Sequence, residues 1–352
     1  MTGAGELREL ADTVRAVVTK HGDRAVLRGA VDSELGYDER LWKLLCEQVG
    51  VAALAVPEEY GGVGAGPAAA LVVVEELGRT LHNPPMLGSA VLGVQAVLLS
   101  GDADACARLL PEVAEGTRTL AVCWAGRSGW DRPGVRVADG KLVGTAHYVL
   151  DGATADTLIV VTDDGLYEID AAAAEVTRAV APTMDPTRRL TDVVFAGTPA
   201  RRLGGDVEAV ARLREIAWAA VAAEQVGAAD QCLQMTVDYT KSRVQFGRPI
   251  GSFQALKHRM ADMYVLVESA RSVAYTAIAG LDEAAENPSA ALDLAAARIH
   301  CSQTFSTVVS EMVQMHGGIA ITWEHEAHLY FKRAHADAQL FGAPARPLAR
   351  PA

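Results

Sequence analysis

The sequence predicts an α+β protein: an N-terminal helical domain (1–117), a middle antiparallel β domain (118–200) and a C-terminal four-helix bundle (201–352). Three observations predict it. Apolar residues recur three and four apart in the N-terminal part, and long runs of helix formers return from about 205. The stretch between them is made of short, alternating β-branched runs. The 352 residues are enough for two or three separate cores.

In the N-terminal part, "ELRELADTVRAVV", "DERLWKLLCEQV" and "AAALVVVEELGRTL" carry helical spacing. Between the last two, the Pro and Gly residues of "VPEEYGGVGAG" must end one helix before the next begins. The "GGVGAG" at 61–66 follows a Pro loop and not a strand, so it is no dinucleotide fingerprint. From about 118 the texture changes to "TLAVCWAG", "GVRVADGKLVGTAHYVLDG", "DTLIVVTDDGLYEID" and "LTDVVFAG", separated by Gly or Asp-Gly turns. This predicts a barrel or small sandwich. From about 205, "DVEAVARLREIAWAAVAAEQVGAADQCLQMTVDYTKSR" predicts one long helix with Gly227 as its weak point. Helices are expected over 253–284 and 288–316, then a break at Gly317 and Gly318, then a last helix over 324–338.

Half the residues are hydrophobic and the net charge is −12, which argues against a nucleic-acid binder. The five cysteines (Cys46, Cys106, Cys123, Cys232, Cys301) are odd in number and dispersed, with no CxxC pair or zinc spacing. Free, mostly buried thiols in a reducing cytosol are expected. The opening "MTGAGELRELADTVRAVV" lacks a signal-peptide layout, and no apolar run is long enough to cross a bilayer. The expectation is a soluble cytoplasmic protein with no membrane span.

The chemistry-bearing stretch is "RVQFGRPIGSFQALKHRMADM", residues 243–263. A helical corner needs only a Gly or a Pro, yet this one carries Arg243, Arg248 and Gln254. The guanidinium of Arg243 matches phosphate oxygens at a helix end; the alternative is a salt bridge to Asp238 or Asp262. In "QMHGGIA", paired glycines let the backbone approach a ligand and Gln314 both donates and accepts; a plain helix cap is the alternative. Glu224 lies in an apolar helical stretch whose neighbours three and four away are Ala220, Val221, Gly227 and Ala228. A buried carboxylate without a partner suits a general base; the alternative is a Glu that reaches solvent or an Arg on another helix. His325 and His328 are three apart, not in the four-residue spacing of HExxH, and no metal is expected.

Together, "VPEEYGG", "RVQFGRPIGSFQALKHRMADM", "QMHGGIAIT" and "TWEHEAHLYFKR" resemble the acyl-CoA dehydrogenase family, in its bacterial FAD-dependent branch, over nearly the whole chain. The resemblance implies an N-terminal helical domain, a middle β domain and a C-terminal four-helix bundle, with FAD between the last two. It implies that Arg243 contacts the FAD pyrophosphate, that Phe246 lies by the cofactor and that Gln254 supports that corner. Gln314, Gly317 and Gly318 would hold the FAD of a neighbouring subunit in a homodimer or homotetramer. Tyr148 and Val149 in "HYVLDG" fall where the family lays chain against the flavin ring. The implied reaction is α,β-desaturation of an acyl-CoA or acyl-carrier-protein thioester, with electrons passing to an electron-transfer flavoprotein.

Two departures bear on this. The family's base positions correspond to Phe341 in "QLFGAP" and to Ala217, and neither is a carboxylate. "VCWAGRSGW" lacks the family's Thr-Glu-Pro-Gly segment, which removes the basis for contacts from Trp124 or Ser128. Three hypotheses follow: the favoured one, an active dehydrogenase using Glu224, with Glu215 as runner-up; a non-catalytic FAD-site subunit of a hetero-oligomer with a base-bearing paralogue; or a flavin oxidase on the same scaffold.

Overall fold

The computed structural model describes residues 3–281 and 289–343. The chain divides into two compact units, one holding residues up to 74 and 82–217, the other residues 75–81 and those from 218 on. The first unit opens with α1 (Ala4–His21), α2 (Arg24–Asp32), α3 (Glu39–Val49) and α4 (Gly66–Thr80), whose last turns belong to the second unit. A buried π-helical stretch, Met86–Gly93, leads into α5 (Val94–Leu99) and α6 (Ala103–Ala114). Aspartates start three of these helices. Asp23, Asp38 and Asp102 accept the N–H groups of Val26, Leu41 and Ala105 at 3.0, 2.6 and 2.9 Å, satisfying donors that have no intrahelical partner.

Ten strands follow: β1 (Leu120–Cys123), β2 (Ala125–Gly126), β3 (Gly129–Pro133), β4 (Val135–Ala138), β5 (Lys141–Leu150), β6 (Thr157–Thr162), β7 (Gly165–Asp170), β8 (Val176–Val180), β9 (Leu190–Pro199) and β10 (Arg201–Gly204). They form two four-stranded sheets, β1-β6-β7-β10 and β4-β5-β9-β8, with β2 and β3 as a small hairpin. Leu158, Val160 and Ile169 of the first sheet share one core with Leu142, Val193 and Phe195 of the second. The small-sandwich expectation is met with one departure: β1 pairs with β6 in parallel, Leu120 opposite Thr157. Parallel neighbours need a long crossover, and here β2 to β5 provide it.

The second unit takes the rest of α7 (Val207–Ser242), the hairpin of β11 (Val244–Gln245) and β12 (Arg248–Pro249), and then α8 (Gln254–Ala279), α9 (Ala290–His316) and α10 (Ala327–Gln339). Helix α9 packs against both α8 and α10. The predicted long helix is continuous through Gly227, and the reason for that glycine is steric. A Cβ there would stand 2.0 Å from the carbonyl oxygen of Glu75, and one at Gly78 would stand 2.4 Å from that of Glu224. The last turns of α4 thus lie backbone-to-backbone on α7. Helix α8 ends at Ala279, short of the expected 284, with Gly280 at its C-cap; positions 282–284 and 288 of the expected helices lie outside the described residues. Among the described residues, no helix is long and apolar enough to cross a membrane.

Candidate cofactor and active site

Helix α7 ends where the N–H of Arg243 donates to the Tyr239 carbonyl at 2.8 Å, and the Arg243 carbonyl in turn accepts Ile250 N–H at 2.8 Å. Inside that closure, Val244 pairs with Pro249 and Gln245 with Arg248, so Phe246 and Gly247 form the two-residue turn. Both have positive φ, 53° and 74°, as a tight hairpin turn requires. Holding a phenylalanine there costs about 1–3 kcal/mol, and the ring is 92% exposed. Phe253 meets it edge-on at 6.1 Å and carries the Arg248 guanidinium 4.0 Å over its own ring.

Arg243 has no ion-pair partner among the described residues. The salt bridge considered from the sequence is not made to Asp238, whose carboxylate accepts Gln234 at 3.0 Å. Gln254 is exposed at the start of α8, and Gln314 is exposed on the last turn of α9. Gly317 adopts φ 63°, ψ −143°, a region essentially reserved for glycine, and added Cβ atoms at Gly317 and Gly318 would meet nothing within 4 Å. A guanidinium without a carboxylate, an exposed ring on a strained turn and open glycine backbone fit the phosphate and adenosine portions of a dinucleotide such as FAD.

Tyr148 and Val149 lie in the first unit. The β5–β9 register shifts between Ala146 and Val149, and Tyr148 sits in that bulge at φ 58°, half exposed. Val149 is buried in the sandwich core, so only its backbone is available to a ligand. Trp124 is a core ring: it meets Trp130 edge-on at 6.0 Å, and Arg214 lies 5.3 Å from its centroid while donating to the Trp130 carbonyl at 2.7 Å. Ser128 is exposed between β2 and β3.

The premise for Glu224 as a partnerless carboxylate is corrected. It is buried, but Arg333 Nη1 of α10 lies 2.5 Å from its Oε1, and Arg333 is fully buried as well. The partner is 109 residues away, beyond the reach of helical spacing on α7. Glu215, the runner-up, pairs with Arg212 at 2.9 Å. At the two positions where the resemblance implies a base, Ala217 and Phe341, the side chains are apolar and buried, Ala217 completely. Phe341 is held by its own backbone: Trp218 Nε1 donates to its carbonyl at 3.2 Å, and Arg298 donates to the Leu340 carbonyl at 3.0 Å and that of Asp337 at 2.6 Å. Burial pushes the Arg298 guanidinium below its ordinary range.

A second buried carboxylate escaped the sequence reading. Glu75 of α4 pairs with Arg271 at 2.7 Å and accepts the Tyr275 hydroxyl at 2.9 Å. Burial raises its pKa against the pull of Arg271 and that hydroxyl. The only available signal was a Glu at a core-facing helical position, and its partners lie some 200 residues downstream. His325 and His328 do not converge: His325 faces His316 at 4.6 Å, and His328 meets Trp323 edge-on at 4.6 Å.

Comparison with known proteins agrees with this architecture. Family models described as the acyl-CoA dehydrogenase N-terminal and C-terminal domains match residues 4–117 and 215–345. Acyl-CoA dehydrogenase IpdE2 of Mycolicibacterium smegmatis is 46% identical over 346 residues, covering 98% of this chain and 97% of the relative. A variant of the Tcur3481-Tcur3483 steroid ACAD superposes with a TM-score of 0.88 at 30% identity, covering 96% of this chain and 94% of that one. The ChsE4-ChsE5 complex from Mycobacterium tuberculosis gives 0.88 at 27% identity, covering 97% and 94%. With nearly its whole length aligned to a relative of that name, this chain belongs to the acyl-CoA dehydrogenase family, a class of oxidoreductases.

Proposed function

We propose that this chain is one subunit of a heteromeric FAD-dependent acyl-CoA dehydrogenase, presenting a dinucleotide-binding surface while a paralogous subunit brings the base. The reaction is α,β-desaturation of an acyl thioester. The observation that carries this is at Phe341. A buried apolar ring, with its own carbonyl tied to Trp218 and the preceding Leu340 carbonyl tied to Arg298, occupies a position where the resemblance implies a carboxylate. Ala217 is equally unable to take a proton. Glu224, ion-paired with a fully buried Arg333, is part of the internal framework.

When bound, FAD would supply the acceptor for the hydride lost from the substrate β-carbon. This chain's contribution is to hold that group. Because Tyr239 joins the two segments, Arg243 and Gln314–Gly318 face one FAD rather than the cofactors of separate subunits that the resemblance implies. Arg243 offers its unpaired fork to phosphate oxygens, Phe246 an apolar face, and Gln314 with the Gly317–Gly318 backbone short-range donors and acceptors. Two similar structures, a ChsE4-ChsE5 complex and a Tcur3481-Tcur3483 steroid ACAD, support both the two-chain assembly and a steroid-derived acyl group. Electrons would leave to an electron-transfer flavoprotein.

The test is anaerobic titration with acyl-CoA thioesters, steroid-derived ones included, following the flavin absorption band. The chain alone should not bleach, and the chain co-expressed with a base-bearing paralogue should. Bleaching by the chain alone overturns the partner-subunit assignment and returns attention to Glu224, where Glu224→Gln decides. A preparation that stays colourless and takes up no FAD in either form removes the cofactor assignment.

A further inference from the structure

The two segments of the second unit expected to face the cofactor meet on one side chain, Tyr239. It lies one helical turn before Arg243, and its carbonyl accepts the Arg243 N–H at 2.8 Å. Its hydroxyl donates to the carbonyl of His316, the residue before Gly317, at 3.3 Å. Its ring stacks on the His316 imidazole with centroids 4.3 Å apart and 22° between planes.

The imidazole is fixed in turn. His316 is buried, its Nδ1 donates to the Met312 carbonyl at 2.8 Å, and its Nε2 has no hydrogen-bond partner. His325 stands on the same ring at 4.6 Å, with its own Nδ1 accepting Ala327 N–H at 3.1 Å.

The consequence follows from peptide planarity. The His316 carbonyl and the Gly317 N–H belong to one rigid plane. Tyr239 holds the carbonyl edge, and the Gly317 N–H donates to the Val313 carbonyl on the other. What remains free is the φ and ψ of Gly317 itself, which start from a fixed origin. A helix end without the first bond would fray, and the ligand would have to order it.

We propose that Tyr239 is a positioning residue that locks the α9 terminus to the α7 terminus, so that Arg243 and the Gly317–Gly318 backbone meet the adenosine-pyrophosphate portion of a dinucleotide as one preorganised surface. This rests on the FAD assignment above and adds the residue that organises it.

The test titrates FAD and, separately, ADP into the purified protein with any co-purifying subunit, by flavin fluorescence and calorimetry, with thermal unfolding of the ligand-free protein alongside. Tyr239→Phe keeps the stack and loses the hydroxyl; it should weaken both ligands about three- to tenfold with an unchanged unfolding temperature. Tyr239→Leu loses both contacts and should weaken them further. Unchanged affinity for both ligands in a folded Tyr239→Leu overturns the proposal. So does a loss of affinity in Tyr239→Phe that appears only with a matching loss of stability, which marks a structural role. If the parent protein binds neither FAD nor ADP, the underlying cofactor assignment falls first, and this proposal with it.

Discussion

Arg333 Nη1 lies 2.5 Å from Glu224 Oε1, with both side chains buried in the second unit. Desolvation offsets most of the attraction in such a pair, yet removing one member strands the other. Arg333→Met alone should therefore cost about 3–5 kcal/mol in urea unfolding, and the double variant Glu224→Leu/Arg333→Met should recover most of it. A single variant as stable as the double would show that the two charges do not depend on each other.

The close approach at Gly227 gives a contrast with Gly29. Both are helical, but a Cβ at Gly29 meets nothing within 4 Å, whereas one at Gly227 meets the Glu75 carbonyl at 2.0 Å. Gly29→Ala should stabilise by up to about 1 kcal/mol through helix propensity. Gly227→Ala should destabilise by about 1–3 kcal/mol, because backbone must move to admit the methyl group. Equal effects in chemical denaturation would contradict this backbone contact.

Asp151, buried in the first unit, is pushed up to about 7 by desolvation, with Arg188 pulling the other way. The folded state then keeps a proton that the unfolded chain releases near pH 4. Between those values the unfolded state binds fewer protons, so stability falls as pH rises, by about 4 kcal/mol in total. Asp151→Asn should abolish that component, and the parent-minus-variant difference should decline from pH 4 to 7 and level off above. A difference that grows with pH over that window would refute the assignment.

Arg243 is exposed and without an ionic partner among the described residues. Arg243→Ala should leave thermal unfolding unchanged and weaken FAD at least about tenfold, with Arg243→Lys intermediate because it keeps charge and loses the fork. Full FAD affinity in Arg243→Ala would exclude this guanidinium as a phosphate ligand.

Local pattern carried much of this architecture and almost none of its buried electrostatics. An uninterrupted run of helix formers, a local signal with Gly227 as its one weak point, placed the 36-residue α7 almost to the residue. The Arg243 corner and the Gly317–Gly318 break were visible for the same reason, being set by turn chemistry within a few residues. The Glu224–Arg333 pair was not, since no local period relates α7 to α10. The parallel β1–β6 pairing was also hidden, because alternation reports which face is buried and not the neighbour's direction. Gly227 was seen only as a weak helix former; its purpose depends on a carbonyl contributed by α4.

Helix α4 begins in one unit and ends in the other, and its Glu75 finds Arg271 only 196 residues later in the chain. At a synthesis rate of about 5–20 residues per second, that interval lasts roughly 10–40 s on the ribosome. Throughout it, "EELGRTL" must travel as the tail of an already emerged helix with its acidic side chains still hydrated. The first unit can close around its sandwich early, but Glu75 waits for its partner within the second unit until α8 appears.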